Sequence, residues 1–163
     1  MGELTIRRAV ADELVAVVAL LEVADELHRS ALPWLFRRTE ERAFTGFLEP
    51  YVLQADRAMF LACAPDRSLA GVLYMCLRQP SRAPIVQPTA VAEIDALVVH
   101  PSFRRQHVAT RLVQTALRWA DDSGATRTEL GVYEFNDAAR EFWHSVGFET
   151  LSRRLVLHSE RKT

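Results

Sequence analysis

Residues 93–110 read EIDALVVHPSFRRQHVAT, and the amphipathic run RLVQTALRWADDSG follows directly at residues 111–124. The pattern predicts an apolar strand that ends at Pro101, a short arginine-bearing loop, and a helix that starts beside the loop. Backbone N–H groups in such a loop and at the start of a helix bind the oxygens of a pyrophosphate. This stretch therefore predicts a strand–loop–helix unit that holds a nucleotide-containing cofactor.

The size and composition of the chain predict one domain over residues 1–163. Of these residues 49% are hydrophobic, which is enough for a full core without cross-links. A net charge of −1 and a pI near 6.5 give no global field toward nucleic acid or an anionic membrane, so neither partner is expected. No run approaches the roughly 20 apolar residues of a membrane span, and the start of the chain has no apolar signal segment. The expected location is the cytoplasm.

The two cysteines, Cys63 and Cys76, lie in apolar runs without the spacing of a metal site. They are expected to be small core residues, and no metal cofactor is expected. A nucleic-acid patch of Arg104, Arg105 and His107 is disfavoured because the pI is near neutral and no aromatic residues alternate with the basic ones.

Hydrophobic periodicity predicts alternating strands and helices along the chain, which indicates an α/β sheet covered by helices. Within the strand at 91–99, alternation places Ile94, Ala96 and Val98 on one face, and Glu93, Asp95, Leu97 and Val99 on the other. Strands are predicted at 4–10, 58–64, 69–77, 91–99, 128–133 and 151–158, and helices at 12–28, 37–53, 109–120 and from Asn136 to Gly147.

Two motifs in this order resemble those of the GNAT superfamily of acyl-CoA-dependent N-acetyltransferases. The first is Arg or Gln, two variable residues, Gly, one residue, and Gly or Ala; residues 104–109 fit its ends, with His107 at the glycine place. The second is met by Asn136, Ala139, Phe142, Gly147 and Phe148, with Trp143 at its tyrosine place. The resemblance implies a mixed, mostly antiparallel sheet of six to seven strands, flanked by about four helices.

The resemblance also implies acetyl-CoA as cosubstrate. Backbone N–H groups of the loop and the helix start would bind the pyrophosphate, and the strand before the loop would pair edge-on with the pantetheine arm. The implied cofactor-binding residues are Leu97, Val98, Val99, Arg104, Arg105, Gln106, His107, Val108, Ala109, Thr110, Asn136, Ala139 and Trp143. Histidine tolerates a positive φ better than branched residues do, so His107 is compatible with the glycine place.

Acetyl transfer to an amine requires a group that takes the proton of the ammonium, whose pKa is roughly 10. Glu93 is the first candidate, because some family members carry a general-base glutamate at the place eleven residues before Arg104. Asp95 is the second candidate and would share the task or bind the substrate ammonium. The alternative is that both carboxylates belong to a partly solvated strand face and move no proton.

The leaving thiolate also needs a proton. Trp143 is too weak an acid to donate it, so Trp143 is expected to pack, and the proton would come from water or from Tyr133. A CoA thiol also leaves as thiolate near neutral pH.

The resulting prediction is an N-acetyltransferase that acts by direct attack of a primary amine in a ternary complex. The acceptor is a small-molecule or peptide amine, and a homodimer is left open. Arginines such as Arg37 and Arg78 suggest an acceptor that also carries a carboxylate or phosphate. The alternative function is a non-catalytic acyl-CoA-binding sensor or regulatory domain.

Overall fold

The computed structural model describes residues 3–159. The described chain divides after Gly131 into two compact units, and each is described by itself below. The single domain expected for residues 1–163 stays a prediction.

A five-stranded sheet forms the first unit. Its order is β1-β2-β3-β4-β5, with antiparallel pairing between the first four strands and parallel pairing between β4 and β5. The mixed, mostly antiparallel sheet predicted from the sequence is therefore confirmed, but residues 3–159 contain five strands and not six to seven. The strands are β1 (Thr5–Arg8), β2 (Arg57–Cys63), β3 (Leu69–Arg78), β4 (Val91–Val99) and β5 (Arg127–Leu130).

The strand predicted at 151–158 is wrong. These residues belong to no helix or strand, and Leu151, Leu155 and Leu157 are 79%, 90% and 94% exposed. Alternation of apolar residues predicts the two faces of a strand, whereas a strand also requires a partner for its backbone hydrogen bonds. The sequence pattern contains no information about that partner.

The described helices are α1 (Leu14–Ala31), α2 (Glu41–Leu48), α3 (Pro50–Leu53), α4 (Val108–Asp122) and α5 (Asp137–Ser145). Four of them have eight residues or more, as expected from the sequence, and α3 is a single turn. The continuous helix predicted over 37–53 is divided at Pro50, which has no N–H to continue α2 and instead begins α3.

The sheet of the first unit is covered on both faces. On one face α1, α2 and α3 pack against a cluster that includes Tyr51, Tyr74 and Val98. On the other face α4 packs against β3, where its Leu112 approaches Gly71. The apolar stripes of α1 and α4 therefore lie on the sheet, as their 3.6-residue period predicts.

A β-bulge interrupts the β3–β4 ladder at Asp95. Tyr74 pairs with Ala96 and Met75 pairs with Ile94, so Asp95 has no partner on β3. The extra residue reverses the alternation of side chains beyond it. The predicted faces are wrong for this reason: Glu93, Ala96 and Val98 share the α1 face, while Ile94, Leu97 and Val99 share the α4 face.

Gly71 allows the close approach of α4 to β3. A Cβ at this position would lie 3.1 Å from side-chain atoms of Val108 and Leu112, and 3.1 Å from the carbonyl oxygen of Val98. The backbone carbonyl and the packed helix leave little room for adjustment.

We predict that Gly71→Ala lowers the free energy of unfolding by about 1–3 kcal/mol, the usual cost of overpacking a core. Gly46→Ala is the matched control, because Gly46 lies in α2 with nothing within 4 Å of its added Cβ. Alanine is the better helix former, so Gly46→Ala should stabilise by up to about 1 kcal/mol. Urea unfolding of both variants measures the difference, and equal effects would contradict the close-approach explanation.

Candidate functional site

The turn between β4 and α4 (residues 100–107) has an unusual backbone. It contains the 3-10 turn Pro101–Phe103, and Arg105 and His107 both have φ of 59°. His107, at the glycine place of the motif, therefore adopts the left-handed conformation that its sequence position suggested. The side chain of Gln106 braces the turn by donating from Nε2 to the carbonyl oxygen of Ser102 at 3.0 Å. Such alternating conformations direct successive backbone N–H groups toward one concave surface.

α4 begins directly after this turn. The carbonyl of His107 accepts from the N–H of Arg111 at 3.0 Å, and the His107 side chain makes no capping hydrogen bond. The N–H groups of the first helical turn, including those of Ala109 and Thr110, have no acceptor within the helix. Residues 104–107 are exposed, whereas Val108 is buried and fixes the helix to the sheet. The turn and helix start therefore present a surface of backbone donors that suits an anion.

The second half of β4 has a free edge toward β5. Pairing between the two strands runs from Val91↔Arg127 to Ile94↔Leu130, and β4 continues for five residues beyond it. The backbone groups of Leu97 to Val99 on that edge therefore have no partner in β5. An extended ligand with amide groups can pair with such an edge as an added strand does.

Glu93 lies in an ion-pair network. Its Oε2 atom accepts from Arg78 Nε at 2.8 Å, and the same guanidinium contacts Glu129 at 2.9 Å. Glu129 is also paired with Arg127 at 2.7 Å. Glu93 is half-buried, and one of its oxygens is committed to Arg78. The positive charge of Arg78 is likewise shared by two carboxylates, which weakens its suitability as a site for an acidic acceptor.

Asp95 has a different environment. Its Oδ2 atom accepts from the Tyr51 hydroxyl at 3.0 Å, and the Cys76 thiol also donates to the carboxylate. Part of the residue faces solvent, yet the neighbouring protein removes enough water to raise the pKa of Asp95 above its usual value. The two hydrogen bonds, Arg57 and Arg78 oppose this rise. A carboxylate with a raised pKa is a stronger base, and this one is accessible.

Two partners of Asp95 were not among the predicted site residues. Tyr51 lies 44 positions away in α3, and no sequence spacing links it to β4. Cys76 faces Glu93 across the β3–β4 ladder, a register that depends on the bulge at Asp95. Burial raises the pKa of the Cys76 thiol to about 11, with the charge of Asp95 as the second cause, so this cysteine is a hydrogen-bond donor and a poor nucleophile.

The side chains of Cys76, Glu93 and Asp95 are close enough to bind one cation. The Cys76 sulfur and one carboxylate oxygen each from Glu93 and Asp95 lie within 4.8 Å of one another. A metal would have to displace the Cys76 proton and compete with Arg78 for Glu93. The expected absence of a metal cofactor stays a prediction.

The second unit contains α5 and the remaining predicted site residues. The Asn136 side chain accepts from the N–H of Ala139 at 3.1 Å, so Asn136 caps the N-terminus of α5. Trp143 is 9% exposed, and its ring lies 5.2 Å from those of both Phe142 and Phe148, so it packs as expected. Tyr133 is 40% exposed. The roles of Asn136, Ala139, Trp143 and Tyr133 toward a cofactor stay predictions.

Within residues 3–159, each helix is too short or too polar to cross a membrane.

Comparison with known proteins agrees with the motifs. The family model described as the acetyltransferase (GNAT) family matches residues 20–148. An uncharacterized N-acetyltransferase of Methanocaldococcus jannaschii is 36% identical over 99 residues, which are 61% of this chain and 42% of that relative. The chain therefore spans less than half the length of this relative.

Solved structures share the fold at low sequence identity. A tetramutant of a Bacillus halodurans protein has a TM-score of 0.89 at 20% identity and covers 95% of this chain and 99% of its own. An aminoglycoside antibiotic 6'-N-acetyltransferase from Acinetobacter baumannii has a TM-score of 0.72 at 21% identity, covering 97% and 99%. An aminoglycoside N-acetyltransferase in complex with CoA has a TM-score of 0.72 at 21% identity, and the match covers 99% of this chain and 97% of that one. With the family match over most of its length, the chain belongs to the acetyltransferase (GNAT) family.

Proposed function

We propose that this protein is an N-acetyltransferase that moves an acetyl group from acetyl-CoA to a primary amine by direct attack in a ternary complex. The observation that carries the proposal is the position of Asp95. Its accessible carboxylate lies two residues before Leu97, where the edge proposed to pair with the cofactor begins, about 7 Å along the strand at 3.3 Å per residue. A proton acceptor and a thioester-binding edge are thereby adjacent.

The cofactor side of the proposal is supported by backbone geometry. The N–H groups of residues 104–110 would hold the pyrophosphate, and the free edge at Leu97 to Val99 would pair with the pantetheine arm. An N–H on this edge would also polarise the thioester carbonyl and stabilise the oxyanion. For Asn136, Ala139 and Trp143 of the second unit, a role toward the cofactor stays a prediction. An aminoglycoside N-acetyltransferase of the same fold has been solved with CoA.

The acceptor side of the proposal assigns different tasks to the two carboxylates. Asp95 removes the proton from the ammonium, directly or through water, because it is accessible and its pKa is raised. Glu93 is held by Arg78 and contributes negative charge near the ammonium. The departing thiolate takes its proton from water or from Tyr133. The first choice of base made from the sequence is therefore reversed in this proposal.

The acceptor is proposed to be a small-molecule or peptide amine, and the aminoglycoside acetyltransferases of similar fold favour a small molecule. The two cysteines are free, which suits the reducing cytoplasm, the proposed location.

A second candidate is a non-catalytic acyl-CoA-binding domain. It is favoured by His107 at the glycine place and by Trp143 at the tyrosine place of the two motifs. Titration calorimetry with CoA and acetyl-CoA, together with a thiol-release assay on a panel of amines, separates the two candidates. Binding without CoA release from any amine would support the sensor and contradict the transferase.

The positive φ at His107 predicts how CoA binding responds to substitution. Glycine adopts this φ without strain, so His107→Gly should keep or tighten CoA binding. Valine is strained there by about 1–3 kcal/mol, so His107→Val should weaken binding by roughly tenfold or more in titration calorimetry. Arg67→Val is the matched control, because Arg67 has φ of 70° in the β2–β3 turn, outside the proposed cofactor surface. Equal Kd values for all variants would contradict the assignment.

The assignment of the base predicts unequal losses of turnover. Asp95→Asn should lower kcat by about 10²–10⁴-fold, which is the usual contribution of a general base. Glu93→Gln should reduce kcat much less, because Glu93 is already committed to Arg78. Both values are measured by CoA release at saturating acetyl-CoA, with the CoA dissociation constant as the control for folding. A larger loss for Glu93→Gln would reverse the assignment.

Ionisation of Asp95 is also expected to lower the free energy of unfolding. Its pKa is raised in the folded protein, so the free energy of unfolding falls as the pH rises through that pKa. Asp95→Asn removes the desolvated charge and should raise the thermal midpoint at pH 7. The difference from the native protein should disappear as the pH falls toward the ordinary range of an aspartate. A lower midpoint for Asp95→Asn at pH 7 would contradict the desolvation.

A further inference from the structure

We propose that Tyr51 and Cys76 are positioning residues that fix the carboxylate of Asp95 in the orientation that receives the acceptor ammonium. The inference rests on the proposed function and adds to it two residues to which that proposal gives no role. Neither residue needs to contact the reacting atoms, because each acts on Asp95 by a hydrogen bond.

The bulge explains why Asp95 needs such support. A residue in a regular ladder is oriented by its paired neighbours, whereas Asp95 has no partner on β3. Its side chain is instead held from two directions, by the Tyr51 hydroxyl of α3 and by the Cys76 thiol of β3. The Tyr51 contact measures 3.0 Å to Oδ2. A carboxylate offers about four acceptor positions, so two donors leave room for an ammonium N–H.

Tyr51 is itself fixed by packing. The residue is only 4% exposed, and its ring lies 4.7 Å from that of Tyr74 in an edge-on arrangement. Phe47 contacts the ring at 6.2 Å, and the guanidinium of Arg57 lies 5.0 Å from its centroid. Rotation of the phenol would break these contacts, so the hydroxyl is held in place before a substrate arrives. Pre-organised donors of this kind lose little entropy during a reaction.

The electrostatic surroundings indicate what loss of the hydroxyl would do. The charged and titratable groups near Asp95 are Tyr51, Arg57, Tyr74, Cys76, Arg78 and Glu93. Desolvation raises the pKa of Asp95, and the Tyr51 hydrogen bond is the largest opposing influence. Without this bond the ionised form is less stable, so the pKa of Asp95 rises further. A reaction that needs ionised Asp95 would then begin at a higher pH.

The position of Tyr51 also links the base to the acceptor side of the protein. Tyr51 lies in α3, directly after Pro50, the residue at which α3 begins after α2. Arg37, one of the arginines that suggested an acidic acceptor, lies shortly before α2 in the chain. A shift of α2 and α3 on acceptor binding would therefore act on Asp95 through one hydrogen bond.

The test compares pH profiles of kcat/KM for Tyr51→Phe and the native protein, with the best amine of the panel. Tyr51→Phe should move the acid limb up by about one pH unit, and lower kcat at pH 7 by about tenfold, as expected for a hydrogen bond to a charged group. The KM for acetyl-CoA should stay within about twofold. Phe44→Leu is the matched control, because Phe44 packs against Phe47 without donating to Asp95. Its acid limb should not move.

A double-mutant cycle separates positioning from packing. In the Asp95→Asn background, Tyr51→Phe should cause no further loss of kcat, since the group it positions is gone. Cys76→Ala is the second variant, with a smaller shift of the acid limb in the same direction, and it serves if Tyr51→Phe fails to fold. An unmoved acid limb in the variants, or a full tenfold loss in the Asp95→Asn background, would overturn the inference. Absence of transfer by the native protein would instead overturn the proposed function.

Discussion

The register of the β3–β4 ladder slips by one residue at Asp95, and the candidate site depends on this slip. In a regular strand Leu97 and Val99 would lie on the same face as Glu93, and Asp95 would have a paired neighbour on β3. With the bulge, Leu97 and Val99 lie on the α4 face and Asp95 has no partner on β3. The Cys76 sulfur and one carboxylate oxygen each from Glu93 and Asp95 lie within 4.8 Å of one another. Asp95 is left without a partner on β3, and its side chain accepts a hydrogen bond from the Tyr51 hydroxyl.

A second local constraint operates where β4 leads into α4. Two non-glycine residues, Arg105 and His107, hold a positive φ in the same turn. Each such conformation costs on the order of 1 kcal/mol and persists only when the surrounding structure fixes it. Here Val108 anchors α4 on one side of the turn, and the hydrogen bond from His100 N–H to the Ala70 carbonyl at 2.9 Å anchors β4 on the other. The strained turn thus lies between two rigid elements.

Most of the fold could be predicted from the sequence, because long elements bury periodic stripes. The strand at 91–99 and the helix that follows it agree with the structure within two residues at their predicted ends, and the helix predicted from Asn136 begins at Asp137. The strand at 151–158 failed because a pairing partner is not encoded in local alternation. The faces of β4 failed because a bulge depends on the packing of the neighbouring strand.

The candidate site, like the fold, could be predicted from the sequence only in part. The sequence by itself determined the family, the turn after β4 that is predicted to bind an anion, and two acidic residues two positions apart, since these are properties of residue type and local spacing. Only the tertiary structure decided that Arg78 forms an ion pair with Glu93 and that Tyr51 donates a hydrogen bond to Asp95. Those contacts join residues 15 and 44 positions apart, and their distances depend on strand register and helix packing. No local pattern carries that information.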